Sequence, residues 1–373
     1  RFRFCIFKYD TFSFMKKIKL LQVFPRHPHG GIYRVNMDLL EAFHNDDHFE
    51  LHIALVESKN YRGEFNFGNL SPQYTEIEGG LLERWRQLRK LAKRHDLIHL
   101  HGFTPWDCSV FLTLGAKIVF TNHGLLGVGR KLKPHEHLKR YLMKLFLRHR
   151  ADHIFNISHY ARDRVVNEYN VSKEKTSVVH NCTRWESSKT NFSPNGKLTI
   201  GFHGRFVAFK RVDRLLKVAA LAAQKLPVKV QLLGDGPLKT DYAKQARQLG
   251  LDIDFIGYTL APRAVIENYD VEIVSSDEEY FGLVVLESIL AGNPTFVFED
   301  GGGCTEILNH EESKWFICRD EQEMASKICY MYENKADRAI LNRLQALQHH
   351  VSANFSLQNF KERYKAGYLK TVD

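Results

Sequence analysis

Val271-Glu-Ile-Val-Ser-Ser-Asp-Glu-Glu-Tyr-Phe-Gly-Leu-Val-Val-Leu-Glu-Ser-Ile-Leu-Ala-Gly292 is the stretch from which the fold is read. Its opening, Val271–Ser276, has the apolar weight of a buried strand, and Gly282–Leu290 reads as an amphipathic helix that stops near Gly292. A strand, a short loop and a helix in that order form the repeating unit of a parallel α/β domain. The spacing puts Glu279 in the loop at the strand's carboxyl end and Glu287 a little over one turn inside the helix. Between them the amides of Gly282, Leu283 and Val284 open the helix, a place that favours phosphate. At ~1.5 Å per helical residue the two carboxylates can stand on the order of 10 Å apart. That span suits a nucleotide sugar, with one carboxylate on the ribose hydroxyls, the amides on the diphosphate and the other carboxylate on the sugar.

Outward from this unit the same alternation runs through almost the whole chain. The first half reads as strands at Ile18–Phe24, Glu50–Val56, Leu97–Leu100, Lys117–Thr121 and His153–Ile157, with helices at Tyr33–Phe43, Leu81–His95 and His135–Arg148. Residues 181–197 are polar and carry Ser, Pro and Gly, the composition of an interdomain linker. A second series follows at Leu198–His203, Val228–Leu233, Ile253–Ile256, Val271–Ser275 and Thr295–Phe298, then a weak strand at Trp315–Cys318 and helices over Gln322–Val351. Ser356–Lys370 has Phe360, Tyr364 and Tyr368 at helical spacing. The expected organisation is therefore a leader at 1–14, non-native or disordered, and a first Rossmann-like domain at 15–180. A linker at 181–197, a second Rossmann-like domain at 198–355 and a C-terminal helix at 356–373 complete it.

Composition narrows the class. With 373 residues, 44% apolar and 26% charged, the chain has room for two cores of ordinary globular character. No apolar run approaches the length of a membrane span. The first ten residues are basic and aromatic but lack the apolar core and cleavage site of a secretory signal, so a cytoplasmic protein is expected. Six cysteines without Cys-x-x-Cys spacing favour reduced thiols over a disulfide framework or a zinc knuckle. The net charge of +10 is concentrated: residues 81–150 hold fifteen lysines and arginines against four acidic residues. One basic face of this kind suits docking to an anionic surface. No nucleic-acid motif accompanies it, so nucleic acid is not an expected partner.

Open parallel sheets bind ligands beyond the carboxyl ends of their strands, and the remaining motifs fall there. After the first strand, Gly30-Gly31 opens a helix and lets a ligand approach the backbone; a loop that needs positive φ reads the same way. His123-Gly124 ends another strand and can point its imidazole into a cleft. His99 and His101 alternate on one short strand, so that only His101 or its loop is expected to reach the cleft edge, and no acidic partner has the spacing of a metal site. In the second domain Arg205 and Lys210 straddle a loop entering a helix, a fork and a point charge able to neutralise a diphosphate without a metal. Gly234-Asp235-Gly236-Pro237 and Gly302-Gly303 with Glu306 follow later strands.

Taken in this order, these residues resemble the retaining glycosyltransferases of family 4, of bacterial surface-polysaccharide and lipopolysaccharide type. That resemblance implies the GT-B fold: two Rossmann-like α/β domains facing a central cleft, with a C-terminal helix crossing back to the first. It further implies transfer of a hexosyl group from a nucleotide-diphosphate sugar to a saccharide or lipid-linked saccharide acceptor, with retention, no metal and no other cofactor. By position, Arg205 and Lys210 would hold the diphosphate, Glu287 the ribose and Glu279 the donor sugar. His123 would lie opposite Glu279, and Gly30-Gly31 would approach the phosphate and acceptor.

The chain departs from that pattern at Tyr280 and at Arg211, where the family usually has glycine, and at Asn181-Cys182-Thr183-Arg184 in the linker. The basic helices around Trp85, Met143 and Phe146 suit a peripheral face on the inner side of the cytoplasmic membrane. Two other readings stay open: an inverting GT-B transferase or nucleotide-sugar epimerase, and a non-catalytic nucleotide-sugar-binding partner protein.

Overall fold

Ile18–Pro25 forms the first strand, β1, and Leu20, Leu21, Val23 and Phe24 along it are all fully buried. A strand covered on both faces in this way belongs in the middle of a parallel sheet with helices on either side. The computed structural model describes residues 16–26, 30–57, 65–102, 108–124, 133–188, 192, 194 and 196–373, so the expected leader at 1–14 lies outside the described residues. β2 (Phe49–Val56), β3 (Gln73–Ile77), β4 (Leu97–His101), β5 (Lys117–Asn122), β6 (His153–Asn156) and β7 (Thr176–Val178) complete the sheet. Its order is β3-β2-β1-β4-β5-β6-β7, with every neighbour parallel.

A second parallel sheet comprises β8 (Leu198–His203), β9 (Val228–Leu233), β10 (Asp252–Gly257), β11 (Val271–Val274), β12 (Thr295–Phe298) and β13 (Ile317–Cys318), in the order β10-β9-β8-β11-β12-β13. Each sheet therefore reverses its strand order once, between β1 and β4 and between β8 and β11. Those switch points are where such sheets leave a crevice for a ligand. Both switch-point strands of the second sheet lead into sequence motifs: β8 runs into Gly204-Arg205 and β11 into the loop bearing Glu279.

Three details of the chain differ from the reading of the sequence. β3 and β7 carry little apolar pattern, because edge strands are held by main-chain pairing rather than by a buried face. The weak strand expected at Trp315–Cys318 shrinks to Ile317–Cys318, since Ser313–Phe316 winds into a 3-10 turn that buries Phe316. His99 and His101 are two apart on β4 and so share one face; both are fully buried, with ring centroids 3.8 Å apart. His101 does not reach open solvent.

That face of the first sheet is sealed by the C-terminal helix, Leu357–Val372. Ser356 caps it by accepting from Asn359 N at 3.3 Å, and Phe360, Tyr364 and Tyr368 are buried against Phe43, Phe49 and Phe155. Lys361 reaches Asp46 at 2.9 Å, so charge as well as apolar contact ties the helix to the first domain. Between the sheets, residues 179–188 form neither helix nor strand, and Asn181 and Cys182 are buried. Arg184 leaves this segment to pair with Asp38 at 2.9 Å and with Glu41, both on the helix Gly31–Phe43.

Burial makes the fold sensitive to acid. It lowers His52, His123 and His153 to about 4, and holds His99 and His101 well below 6.5. Unfolded chains take up these protons near 6.5, so each group removes stability as pH falls from 6.5 toward 4. Asp38 works the other way: burial raises it from 3.8 to about 6, so its folded form keeps a proton that the unfolded chain has released. These five histidines outweigh Asp38 and Asp270, whose carboxyl burial also raises, at up to ~1.4 kcal/mol per pH unit for each proton. The urea midpoint should therefore fall between pH 7 and pH 5; a midpoint that rises over that range would contradict the assignment.

Candidate functional site

The site is built from loops at the carboxyl ends of the strands. After β8 and β9 the loops nest backbone to backbone: a Cβ on Gly234 would stand 1.9 Å from Gly204 O. Only glycine permits that approach. Arg205, on the outer side of this nest, is exposed and has no ion-pair partner among the described residues. Lys210 ends a 3-10 turn, Ala208–Lys210, and is buried; its carbonyl accepts from Ser275 Oγ at 2.8 Å, which ties the turn to the end of β11. Its Nζ reaches Glu279 Oε2 at 2.5 Å. Arg211, the next residue, takes the left-handed conformation with φ 48, which glycine adopts without cost. Ion pairs at 3.1 Å to Asp213 and to Asp277 hold it there.

Glu279 sits in a loop clamped from within its own domain. It forms an isolated parallel bridge with Gly302, and its carbonyl accepts from Gly303 N at 2.7 Å. Cys304 lies buried beneath it, and burial pushes its thiol well above the usual range. Eight residues on, Glu287 is 4% exposed on the helix Leu283–Leu290. One of its oxygens takes the guanidinium of Arg34, across the cleft, and the other meets His203 Nε2 at 3.0 Å. His203 Nδ1 in turn meets Glu272, a fully buried glutamate inside β11, at 2.5 Å. A histidine thus stands between two carboxylates with an arginine closing one end, and Glu272 keeps a second oxygen buried without a hydrogen-bond partner among the described residues. Arg34, His203 and Glu272 were not singled out in the sequence; an acidic residue within the apolar run of β11 was the one available signal.

The first domain meets this assembly at three places. Gly31 opens its helix so close to the second domain that a Cβ there would touch Leu283 at 3.8 Å. His123 is half-buried at the end of β5, and a Cβ on Gly124 would lie 3.4 Å from the ring of Tyr280. Tyr280, which replaces a glycine of the family pattern, thus rests on the first domain, and its carbonyl accepts from Ser158 Oγ. Further out, Glu306 accepts from His159 N at 2.8 Å, Tyr160 N at 2.7 Å and His180 Nε2 at 3.0 Å. Burial alone would raise the Glu306 carboxyl, but these donors hold it below its ordinary value. His159, His180 and Glu306 have ligand atoms within 4.8 Å of one another, a set able to approach a metal ion, yet here the carboxylate serves as a clasp between the domains.

The contacts thus join Gly31 to Leu283 and Arg34 to Glu287 across the domains, and Lys210 to Glu279 within the second. Gly124, which follows His123, meets the ring of Tyr280, the residue next to Glu279. Arg205 is placed at the outer edge. Gly282 and Val284 flank Leu283 at the helix start, where Gly282 has φ 91.

Two family models match the chain: "Glycosyltransferase Family 4" over residues 29–184 and "Glycosyl transferases group 1" over residues 183–345. An uncharacterized glycosyltransferase of Bacillus subtilis, YqgM, is 29% identical over 222 residues, 57% of this chain and 61% of that protein. The poly(ribitol-phosphate) alpha-N-acetylglucosaminyltransferase of Staphylococcus aureus is 25% identical over 174 residues, 46% of this chain and 34% of that protein. The matched stretch thus spans between a third and three fifths of these relatives. Among solved structures, Anabaena HepE in complex with UDP and glucose superposes with a TM-score of 0.72 at 18% identity, covering 95% of this chain and 100% of that one.

The clamp on Glu279 yields a direct test. A Cβ on Gly303 would stand 2.3 Å from Tyr280 O, a backbone atom that cannot swing aside. Gly303→Ala should cost about 1–3 kcal/mol of stability by overpacking, seen as a lower melting temperature. An unchanged melting temperature would mean that the loop is not held as described.

Proposed function

Because the chain belongs to the family 4-like glycosyltransferases of GT-B fold, we propose that it moves a hexosyl group from a nucleotide-diphosphate sugar to a saccharide or lipid-linked saccharide acceptor, retaining the anomeric configuration and using no metal. The observation that carries this reading is the pairing of Lys210 with Glu279 at the switch point of the second sheet, with exposed Arg205 on the same loop. The diphosphate is the natural partner for Arg205 and Lys210, and its arrival gives the lysine a second anion beside Glu279. As the glycosidic bond to the diphosphate breaks, negative charge grows on the leaving oxygen. Preorganised cations there stabilise the transition state more than the ground state. Glu279, close to both the lysine and the first domain, would take hydroxyls of the donor sugar, with His123 opposite. Ribose hydroxyls would take the place on Glu287 that Arg34 holds.

The acceptor side rests on the first domain's surface. Leu81 and Leu82 are each 62% exposed at the start of the helix Leu81–Ala92. Trp85, Arg86, Arg89, Lys90, Lys93 and Arg94 line one groove beside them. Leu138 and Tyr141 are exposed on the helix Pro134–His149. No helix among the described residues is long and apolar enough to cross a membrane. Apolar residues among cations suit a peripheral face on anionic lipid, where a lipid-linked acceptor would be met.

Arg205→Ala and Lys210→Ala should lower turnover by about 10²–10³, corresponding to ~2.7–4 kcal/mol; the melting temperature should change little for exposed Arg205 and fall for Lys210→Ala, which strips Glu279 of its buried cation. Glu287→Ala should mainly weaken donor binding, read as a smaller thermal shift with UDP-, GDP- or ADP-sugars. Activity should persist in a chelator. Full activity of Arg205→Ala on the true donor, or loss of wild-type activity on chelation, would refute the mechanism. The anomer of the product, read by NMR, separates retention from inversion, and donor turnover at all separates an enzyme from a binding protein.

Binding to vesicles containing anionic lipid should weaken as salt rises, since exposed charges are screened over ~10 Å at 0.1 M. Charge reversal at Arg86, Arg89, Lys90 and Lys93 should weaken it too. Equal binding to neutral and anionic vesicles would remove the membrane reading.

A further inference from the structure

Three histidines form a line through the first sheet, from the C-terminal helix to the cleft. His99 is engaged at both ring nitrogens: Nδ1 with Tyr368 OH at 2.5 Å and Nε2 with Thr121 Oγ1 at 2.7 Å. Thr121 Oγ1 meets Tyr364 OH at 3.1 Å, so two tyrosines of the terminal helix set this ring. His101 lies against His99 with centroids 3.8 Å apart and the rings tilted by 46°, and Phe24 meets its edge at 5.3 Å and 72°. His101 Nδ1 and His123 Nε2 are 3.3 Å apart, while His101 Nε2 is buried with no hydrogen-bond partner among the described residues.

This arrangement determines where the protons lie. Burial keeps all three rings neutral at ordinary pH, so each carries one N–H and one lone pair. If His123 donated from Nε2, His101 would accept at Nδ1 and bury its own N–H at Nε2 unpaired. If His101 donates from Nδ1, only a lone pair is left unpaired at Nε2. An orphaned buried N–H is the rarer and costlier outcome. The second arrangement wins, and it places the proton of His123 on Nδ1.

We propose that His101 is a positioning residue that holds His123 in its Nδ1–H tautomer, so that the imidazole at the cleft acts as a hydrogen-bond donor toward an oxygen of the bound sugar. The final step, donation to the sugar, rests on the reading under Proposed function; the tautomer does not. His99, Tyr364 and Tyr368 act one step further back, by fixing the ring against which His101 packs. The C-terminal helix therefore contributes to the site without touching it.

The test has two independent arms. Long-range ¹H–¹⁵N correlation on the ligand-free full chain should show His123 protonated at Nδ1, with the acceptor signature at Nε2. His101→Leu should lose that fixed pattern. His101→Asn, whose side-chain amide can donate from the position of Nδ1, should keep it. Protonation of His123 at Nε2 in the wild-type protein overturns the proposal whether or not either variant folds. In the second arm, His101→Leu should lower turnover about tenfold, the worth of one hydrogen bond, while His101→Asn restores most of it and KM for the donor changes less. A tautomer that stays fixed in a folded His101→Leu would also overturn the positioning role, whereas its loss there with unaltered turnover would leave that role standing and sink the assignment of His123 to the sugar.

Discussion

The loop from Glu278 to Gly282 joins everything else. Its backbone is locked to its own domain through Glu279 and Gly303, and to the other domain where Ser158 donates to Tyr280 O. Glu278, in the left-handed conformation with φ 55, pairs with Arg164 of the first domain at 3.2 Å. Glu279 faces inward to Lys210. Five consecutive residues thus fix a catalytic candidate, a cation and the meeting of the two sheets. A loop so constrained at a strand's carboxyl end can hold a side chain as firmly as a helix would.

Glycines make that locking feasible, through lack of bulk as much as through freedom. Gly303 admits the backbone of Tyr280, and Gly124 admits its ring. Replacement of a small residue by Tyr280 therefore does not fill the space beside Glu279 at random. The ring is seated on the opposite domain, and the departure from the family pattern becomes a domain contact.

Electrostatics couples the same parts. The helix Gly31–Phe43 carries Arg34 toward Glu287 at one end and Asp38 and Glu41 toward Arg184 of the connecting segment at the other. Of these charges Glu287 and Asp38 are buried, and buried charges are retained only when partnered. A displacement of the helix would therefore be felt both at the cleft and at the connection between domains. Asp38 marks the strain of the arrangement: burial raises its carboxyl to about 6 even with Arg184 beside it.

Alternation of apolar strands and amphipathic helices, with glycines and charges after strands, was enough to determine two parallel α/β domains and to draw Glu279, Glu287, Lys210 and His123 to the carboxyl ends of those strands. That is local information, because strand and helix periodicity and turn chemistry depend on near neighbours. The partners of those residues are not local. Arg34 and Glu287 are joined only when two sheets face each other, and His203 finds Glu272 only through the pairing of β8 with β11. Edge strands such as β3 and β7 left little apolar pattern to read, because main-chain pairing, not a fully buried face, does most to hold them. The burial of His99 and His101 was decided by a helix more than 250 residues later in the chain, as the separation of 269 between His99 and Tyr368 records. Tertiary structure alone sets which charges neutralise one another and which nitrogen carries a proton, because both depend on atoms that only folding brings within about 3 Å.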